Sequence, residues 1–266
     1  MTKTRWTTES IPTQNGRVAI VTGAAQGIGR SIAERLSDDG ARLVLGDLDE
    51  TALAATVNEL GDVPYEAGDL SQEDVARRLV DCAVSAHGHI DILVNNAGGA
   101  GDLQPLVELS DETFDETMKW NVYSTFWGTR RALTTMLAKQ WGRVINISST
   151  EGKVGKPVFT AYSTAKHAIN GMTKAVAQEV GARGVTVNAI CPGLVVTDIV
   201  KDNGPATAEA MGMTFEAMIE MFAQESAIKR PNTVEEVAEM AVLLASEAGG
   251  GITGAALSVD GGTAPY

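Results

Sequence analysis

Short apolar runs alternate with helix-forming stretches along this chain from Arg17 onward. Residues 18–21 form the first run, and apolar residues with helical spacing follow from Gly27 to Asp38. Runs that are apolar throughout indicate strands buried on both faces, as in a parallel sheet covered by helices. The alternation continues without a linker or an internal repeat. It therefore predicts a single α/β domain, built as a doubly wound parallel sheet with helices on both faces.

The same patterns predict the positions of the other elements. Strands are expected at 42–45, 63–67, 92–94, 143–147, 185–190 and 256–259, and helices at 27–38, 50–60, 72–87, 113–139, 160–180 and 233–245. The domain is expected over 17–262, between an N-terminal arm over 1–16 and a C-terminal tail over 263–266. A long interruption, over about 200–230, is rich in Met and Ala and precedes the last predicted helix.

Charge and cysteine content exclude several classes of function. The 266 residues include 34 acidic and 21 basic side chains, which gives a formal net charge of −13. Because an acidic chain repels phosphate groups, neither nucleic acid nor an anionic membrane is an expected partner. Two cysteines and three histidines supply neither a disulfide framework nor a zinc set, so no metal site is expected. The N-terminus lacks a secretory signal and no stretch reaches the roughly 18–20 apolar residues of a membrane span, which predicts a cytoplasmic protein.

A glycine-rich loop follows the first predicted strand and opens directly into a helix. Glycines allow a tight turn, close approach of the backbone to a pyrophosphate and close packing of helix on strand. The helix N-terminus then presents free N–H groups and a positive dipole end to phosphate. Glycine also serves ordinary turns, but in this context the loop predicts a dinucleotide site in a Rossmann domain. The expected cofactor-binding residues of the loop are Gly23, Gln26, Gly27, Ile28 and Gly29.

Asp47 ends the second strand, 18 residues after Gly29. A carboxylate at this point accepts hydrogen bonds from both hydroxyls of an adenosine ribose and repels a 2′-phosphate. The alternative is that Asp47 or Asp49 only caps the following helix. Because neither Gln26 nor Leu48 offers a positive charge to a 2′-phosphate, the sequence favours NAD over NADP as the cofactor.

Three polar residues have the spacing of a proton-transfer site. Tyr162 and Lys166 lie four apart on one predicted helix, and Ser149 follows the strand at 143–147. A phenol has a pKa of about 10, and an adjacent ammonium together with a positive nicotinamide ring is expected to lower it. Tyr162 would then exchange the hydroxyl proton of an alcohol as hydride moves, while Ser149 holds the substrate oxygen. Most Tyr/Lys pairs at this spacing have no catalytic role. The alternative is therefore a tyrosine packed at an edge and a lysine in solvent.

Taken together, these residues resemble the short-chain dehydrogenase/reductase family in its compact form. The similarity runs from Arg17 to Gly262. The motifs that carry it are the loop from Thr22 to Gly29, Asp69 with Leu70, the run Asn95, Asn96, Ala97 and Gly98, then Asn121, Ser149, Tyr162 with Lys166, Pro192 with Gly193, and Asp260, Gly261 and Gly262. Each motif alone is weak, but their occurrence together in this order is specific.

The resemblance implies roles that the residues alone do not establish. Asn121 would kink its helix and hold a water that links Lys166 to solvent as a proton relay, and a helix-surface amide is the alternative. Thr197 would fix the carboxamide of the cofactor, with a helix cap as its alternative. The cofactor contacts implied in this way are Asp69, Leu70, Asn96, Tyr162, Lys166, Pro192, Gly193, Val195 and Thr197.

The resemblance also implies a substrate lid and an assembly. The interruption at 200–230 falls where the family carries its lid, and Met211 and Phe215 would belong to its apolar face, although a surface helix docked on the core is an equal alternative. A homotetramer is expected, built on the helices around 115–139 and 160–180, and the tail at 263–266 would help at a subunit contact.

The expected activity is that of an NAD-dependent oxidoreductase acting on a secondary alcohol or ketone. The alternative within the family is a 3-hydroxyacid dehydrogenase, like those for 3-hydroxybutyrate, or a 3-oxoacyl reductase. The less favoured alternatives are a non-catalytic dinucleotide sensor and a sugar-nucleotide epimerase. The 3-hydroxybutyrate branch tends to bind carboxylate through a His and a Lys, where this chain has Glu151 and Phe159. Glu151 facing the cleft would disfavour an anionic substrate, but an exposed loop glutamate is the simpler expectation.

Overall fold

The computed structural model describes residues 14–210 and 212–264, without the side chains of residues 203 and 210. Most of the predicted N-terminal arm, Met211 and the last two residues of the predicted tail therefore lie outside the described residues. Within them the chain alternates strands and helices, as the sequence predicts.

Seven parallel strands form one sheet in the order β3-β2-β1-β4-β5-β6-β7. The strands are β1 (Val18–Thr22), β2 (Arg42–Asp47), β3 (Tyr65–Ala67), β4 (Ile92–Asn95), β5 (Gly142–Ile147), β6 (Val185–Pro192) and β7 (Ala256–Val259). This arrangement confirms the predicted parallel sheet, and each predicted strand is present.

Nine α-helices are found in the described part of the chain. They are α1 (Gly27–Asp38), α2 (Glu50–Glu59), α3 (Glu73–His87), α4 (Asp111–Met118), α5 (Ser124–Lys139), α6 (Thr160–Val180), α7 (Asp198–Ala210), α8 (Phe215–Glu225) and α9 (Val234–Ala245). The helix predicted over 113–139 is divided, because a π-helical turn at Lys119–Tyr123 separates α4 from α5. The interruption at 200–230 contains α7 and α8. Among these helices none is long and apolar enough to cross a membrane.

Helices cover the sheet on both faces because successive strand side chains point to opposite sides. On one face, Ala19 and Val21 of β1 pack in a core that includes Ile32 of α1 and Val237 of α9. On the other face, Ile20 packs with Leu79 of α3 and Met136 of α5. The alternation confirms the doubly wound architecture.

The order in which strands are added to the sheet changes direction at β1 and β4, which are neighbours in the sheet but not in the sequence. From β1 the chain moves outward through β2 to β3, and it then returns to β4 on the other side of β1 and continues to β7. In open parallel sheets, ligands bind outside the carboxyl ends of the strands at such a reversal. The loops after β1 and β4 therefore mark the expected site.

Candidate active site

The glycine loop after β1 is held against the end of β4. Gly23 and Gly27 have φ values of +63° and +57°, in the left-handed region that favours glycine. The Asn96 side-chain amide donates to the carbonyl oxygens of Thr22 and Gly23, each at 3.0 Å. Asn96 thus fixes the loop from the β4 side, which is a structural task in addition to the cofactor contact that the resemblance implies.

The N-terminus of α1 is open to an anion. Its N-cap residue, Gln26, makes no side-chain capping bond, and the first turn carries no acidic residue. The uncapped N–H groups and the positive end of the helix dipole are suited to a phosphate. Thr197 lies beside this end, because a Cβ on Gly27 would come within 3.3 Å of its Cγ2 atom.

Asp47 lies at the end of β2 beside the same loop. Its Oδ2 accepts from the Ala25 N–H at 2.8 Å, and its Oδ1 accepts from the Asp49 N–H at 3.1 Å. The cap of α2 is Asp49, whose Oδ1 accepts from the Ala52 N–H at 3.0 Å. Asp47 is therefore not the helix cap, and since each carboxylate oxygen has a second lone pair, it retains acceptor capacity for a ribose.

The remaining residues expected around the cofactor lie at the carboxyl ends of neighbouring strands. Asp69 accepts from the Ser71 N–H at 2.9 Å and from the Gln72 side chain at 3.3 Å. Burial alone would raise the pKa of Asp69, but the hydrogen bonds from the Ser71 side chain, the Ser71 N–H and Gln72 outweigh it and lower the pKa. Leu70, next to it, is buried.

After β6 the chain continues to Thr197, which lies beside the glycine loop. Pro192 ends the strand, and the N–H of Gly193 donates to the Val259 carbonyl oxygen at 3.0 Å. A side chain at Gly193 would meet Asp260 at 2.8 Å. Val195, two residues on, is buried. These residues line the same edge of the sheet as the glycine loop.

The carboxyl end of β5 is the place where three predicted catalytic side chains meet: Ser149, Tyr162 and Lys166. Ser149 extends that strand with an extended backbone, and Tyr162 and Lys166 lie on α6. The Lys166 ammonium donates to the Ile147 carbonyl oxygen at 3.0 Å and lies 5.3 Å from the centre of the Tyr162 ring. Lys166 is 4% exposed. The lysine is therefore not a solvated side chain.

The protein's own groups raise the pKa of Tyr162, whereas the lowered pKa expected from the sequence included the positive charge of a nicotinamide. Burial and the negative charge of Glu151 raise the pKa of this phenol, and a hydrogen bond with Ser149 offsets only part of the increase. Burial also lowers the pKa of Lys166, to about 8. The protein's own groups thus keep Tyr162 as a neutral phenol, which suits it to donate a proton.

Asn121 lies inside the π-helical turn at Lys119–Tyr123 and is fully buried. Its side-chain amide donates to the carbonyl oxygens of Gly99 and Thr117, both at 2.8 Å. Its Oδ1 atom is buried and has no hydrogen-bond partner among the described residues. An unpaired buried acceptor is rare. The surface-amide alternative is therefore wrong, and the free oxygen offers a position for a bound water.

Glu151 is the largest departure from the sequence-based expectation. It is 7% exposed rather than a solvated loop residue. Its Oε2 accepts from the Ser149 hydroxyl at 2.6 Å and from the Thr150 hydroxyl at 2.8 Å. The expectation was wrong because the burial depends on these two hydroxyls folding around the carboxylate. Phe159 also lies near the site, with its ring centre 6.4 Å from that of Tyr162.

The expected lid segment consists of α7 and α8 packed on each other. The Phe215 ring lies against Gly204, where an added Cβ would come within 2.2 Å of Phe215 Cε2. Phe215 therefore joins the two helices. The other expected lid residue, Met211, is outside the described residues. Lys156 reaches this segment, because its ammonium lies 2.6 Å from Glu225 Oε2 and 4.9 Å from the centre of the Phe222 ring.

A buried polar chain beneath the site was not expected from the sequence. The Asn95 amide donates to the Thr129 hydroxyl at 2.9 Å and to Asn146 Oδ1 at 2.8 Å, and the Asn146 amide donates to the Thr173 hydroxyl at 2.8 Å. The chain joins β4 and β5 to α5 and α6. Its signal in the sequence is an asparagine within each of two otherwise apolar strands.

Comparison with known proteins agrees with this geometry. The chain matches the family model described as short chain dehydrogenase over residues 17–208. It is 39% identical to a putative ketoacyl reductase of the monensin polyketide synthase from Streptomyces virginiae, over 92% of this chain and 96% of that protein. It is 37% identical to a D-beta-hydroxybutyrate dehydrogenase from Rhizobium meliloti, over 92% of this chain and 98% of that protein.

A solved structure has the same fold. The crystal structure of a variant of actinorhodin polyketide ketoreductase with NADPH superposes with a TM-score of 0.90. Its sequence is 34% identical, and the alignment covers 96% of this chain and 100% of that one. At this level of identity and coverage, the agreement extends to the whole architecture around the site.

Proposed function

Since this chain belongs to the short-chain dehydrogenase family and is a hydride-transfer oxidoreductase, we propose that it interconverts a neutral secondary alcohol and its ketone with NAD as the cofactor. The observation that carries this proposal is the group formed by the half-buried Tyr162 and the buried Ser149 and Lys166. A phenol beside a hydroxyl and a buried ammonium has a use in proton transfer and little use in a binding module.

Tyr162 is the proton carrier in this proposal. In reduction, the neutral phenol donates a proton to the carbonyl oxygen of the substrate, and in oxidation the phenolate removes the alcohol proton. Lys166, held by the Ile147 carbonyl, supplies a positive charge that stabilises the phenolate. Ser149 holds the reacting oxygen, and a nicotinamide supplies or accepts the hydride when bound. The unpaired Asn121 oxygen is the proposed position of the water that connects Lys166 to solvent.

The residues present fit a dinucleotide. The uncapped N-terminus of α1 would hold the pyrophosphate, and Asp47 would accept from the adenosine ribose. Leu70, Asn96 and Thr197 would line the remaining surface. NADPH in the actinorhodin ketoreductase structure shows that the fold also takes the phosphorylated cofactor. The preference of this chain for NAD therefore rests on the carboxylate of Asp47.

Fluorescence titration with NADH and NADPH tests the cofactor proposal. We expect tighter binding of NADH, because the Asp47 carboxylate repels a 2′-phosphate. Asp47→Asn should reduce the difference between the affinities for NADH and NADPH, because it removes the carboxylate charge and keeps an acceptor for the Ala25 N–H. The matched control is Asp49→Asn, which preserves the cap of α2 and should leave the preference unchanged. Equal wild-type affinities for the two cofactors would reject the role given to Asp47.

The preference for a neutral substrate follows from Glu151. Its carboxylate lies against Ser149, so an anionic group placed near the reacting oxygen would meet like charge. The two nearby lysines offset this charge only in part. Lys153 donates to the Ser258 hydroxyl at 2.9 Å, and Lys156 lies 3.8 Å from Glu151 Oε1 but closer, at 2.6 Å, to Glu225 Oε2. The 3-hydroxyacid and 3-oxoacyl activities are the second candidate, supported by the names of the Rhizobium meliloti and Streptomyces virginiae relatives.

A matched pair of ketones separates the two candidates. Acetoacetate and its ethyl ester have the same reacting carbonyl group and differ in charge, and NADH absorbance reports turnover of both. We expect the ester to be the better substrate by kcat/KM. Preference for acetoacetate would favour the 3-hydroxyacid candidate. Turnover of neither, nor of any member of a panel of aliphatic, aromatic, polyol and steroid alcohols with NAD or NADP, would reject the alcohol/ketone proposal.

We also propose a homotetramer built on α4–α5 and α6, in a reducing, cytoplasmic setting. Three aromatic side chains on consecutive turns of the α4–α5 segment are exposed on the isolated protomer: Trp120, Tyr123 and Phe126. A contiguous aromatic patch of this kind is a common feature of subunit contacts. The two free thiols, Cys82 and Cys191, support the reducing setting.

A further inference from the structure

One oxygen of the Glu151 carboxylate has no hydrogen-bond partner among the described residues. The other oxygen, Oε2, accepts from the Ser149 hydroxyl at 2.6 Å and from the Thr150 hydroxyl at 2.8 Å, and these two bonds fix the carboxylate. A cation lies near Oε1, because the Lys156 ammonium is 3.8 Å from it. Glu151 is 7% exposed and Oε1 is not fully enclosed, so a ligand reaches this oxygen with little competition from solvent. Oε1 is therefore an unused acceptor beside the catalytic side chains.

The free oxygen lies on the side of the catalytic group that faces α8. Oε2 is directed to Ser149, whereas Oε1 is directed to Lys156. The Lys156 ammonium is in turn 2.6 Å from Glu225 Oε2 and 4.9 Å from the centre of the Phe222 ring, both on α8. In the proposed function, the reacting oxygen of the substrate lies beside Ser149 and Tyr162. A polar group on the neighbouring carbon then has Oε1 within reach, because the carboxylate spans the short distance from the serine towards α8.

The charges around Oε1 select the polar group that fits there. A carboxylate oxygen only accepts hydrogen bonds, so the group must be a donor. An anionic group on the substrate has no proton to donate and meets like charge at Glu151. An ammonium group donates, but the Lys156 ammonium, 3.8 Å from Oε1, repels it. A hydroxyl group donates and carries no charge, and it therefore satisfies both conditions.

We propose that Glu151 determines specificity by binding a second hydroxyl of the substrate at Oε1, so that the substrate class is a vicinal diol and the product is the corresponding hydroxyketone. The inference rests on the proposed function and deepens it. The reacting hydroxyl gives its proton to the Tyr162 phenolate as its carbon loses a hydride to the cofactor. The second hydroxyl keeps its proton and donates a hydrogen bond to Glu151. The two hydroxyls thus use different acceptors, and neither needs the serine as an acceptor.

Matched pairs of alcohols test the inference in the wild-type enzyme. Butane-2,3-diol is compared with butan-2-ol, and cyclohexane-1,2-diol with cyclohexanol, each diol diastereomer being measured separately with NAD. Where another alcohol of the panel is a better substrate, it is compared with its analogue that has a hydroxyl on the neighbouring carbon. We expect kcat/KM to be about tenfold higher for the diol that fits, because a hydroxyl bonded to a carboxylate out of solvent forms a charge-assisted bond. This exceeds the statistical advantage of two reactive hydroxyls.

Glu151→Gln assigns the preference to this carboxylate. If the amide oxygen keeps the bonds from Ser149 and Thr150, the uncharged amide nitrogen takes the place of Oε1, and we expect the ratio of diol to alcohol kcat/KM to fall about tenfold. The substitution also removes a charge that raises the pKa of Tyr162, but proton transfer is common to both members of a pair and cancels from the ratio. Thr150→Val, the matched control, removes a donor to the other oxygen and should leave the ratio unchanged.

A wild-type enzyme with equal kcat/KM for both members of each pair would overturn the inference and leave the proposed function standing, as would an active Glu151→Gln enzyme with the wild-type ratio. If circular dichroism shows that Glu151→Gln does not fold, Lys156→Met decides. Loss of this cation should raise kcat/KM for 3-aminobutan-2-ol relative to butane-2,3-diol, and an unchanged ratio contradicts the proposal. A wild-type enzyme without turnover on any alcohol or ketone would instead reject the proposed function, and the inference with it.

Discussion

Gly29 lies so close to Gly23 that a Cβ on Gly29 would be 2.0 Å from the Gly23 carbonyl oxygen. The same added atom would come within 2.5 Å of the Asn96 amide nitrogen, which binds that oxygen. The first turn of α1 is thus packed against the loop that precedes it. Position 29 therefore has no room for a side chain larger than that of glycine.

Gly29→Ala should displace the glycine loop from the first turn of α1. The methyl group can be accommodated only if the Gly23 carbonyl and Asn96 move, at a cost of about 1–3 kcal/mol in the free energy of unfolding. We expect dinucleotide binding to fall in parallel, as measured by fluorescence titration. Gly181→Ala is the control, because a Cβ there meets no atom of the described residues within 4 Å and φ is −57°. Equal behaviour of the two variants would contradict the packing described for the loop.

The sequence predicted regular elements more successfully than their interruptions. The limits predicted for α1 and α6 agree with the structure to the residue, because apolar periodicity and flanking glycine or polar residues mark both. The break at Lys119–Tyr123 leaves the apolar pattern continuous, so periodicity alone predicted one helix. Only the resemblance, through Asn121, implied a kink.

Within the site, spacing predicted which side chains lie near each other but not their electrostatic state. Tyr162 and Lys166 share a helix face because they are four residues apart. The burial of Glu151, in contrast, results from hydroxyls on both preceding residues and from packing against the rest of the site. A linear pattern contains no information on that burial, and so the increase that Glu151 causes in the pKa of Tyr162 could not be predicted.

The stability of the protein should depend on pH through Asp91 at the start of β4. This carboxylate is 1% exposed and accepts from Lys139 at 2.5 Å, from the Val18 N–H at 2.9 Å and from His89 at 3.0 Å. Burial would raise the pKa of Asp91, but the bonds from Lys139 and Val18 and the neighbouring charges outweigh it and lower the pKa. The unfolded chain therefore binds a proton at Asp91 more readily than the folded one.

This stabilisation is complete above the ordinary Asp pKa of about 3.9 and is lost as pH falls below it towards the folded pKa. Asp91→Asn should cost about 2 kcal/mol at neutral pH, because the charge-assisted bond from Lys139 is lost although that ammonium, which is 35% exposed, remains solvated. Urea unfolding at a series of pH values from 6 to 3 should show a flatter acid dependence for the variant. Parallel wild-type and variant curves would show that Asp91 is not responsible.

The oligomer can be tested at the aromatic patch on the π-helical turn and α5. Phe126→Glu introduces a charge on a side chain that is 39% exposed in the protomer. Burying an unpaired carboxylate in a subunit contact is costly, so we expect the particle mass in light scattering to fall towards that of a smaller species. Tyr65→Glu on β3, also 39% exposed, is the control and should not change the mass. A wild-type monomer would reject the tetramer itself.

The central claim is that Tyr162 transfers the substrate proton, and Tyr162→Phe tests it most directly because it removes one hydroxyl and keeps the ring against Phe159 and Lys166. Turnover of the best alcohol or ketone and NADH affinity should be measured on the same preparation. We expect turnover to fall by about a thousandfold with NADH affinity close to that of the wild type. A variant that retains wild-type turnover would contradict the account.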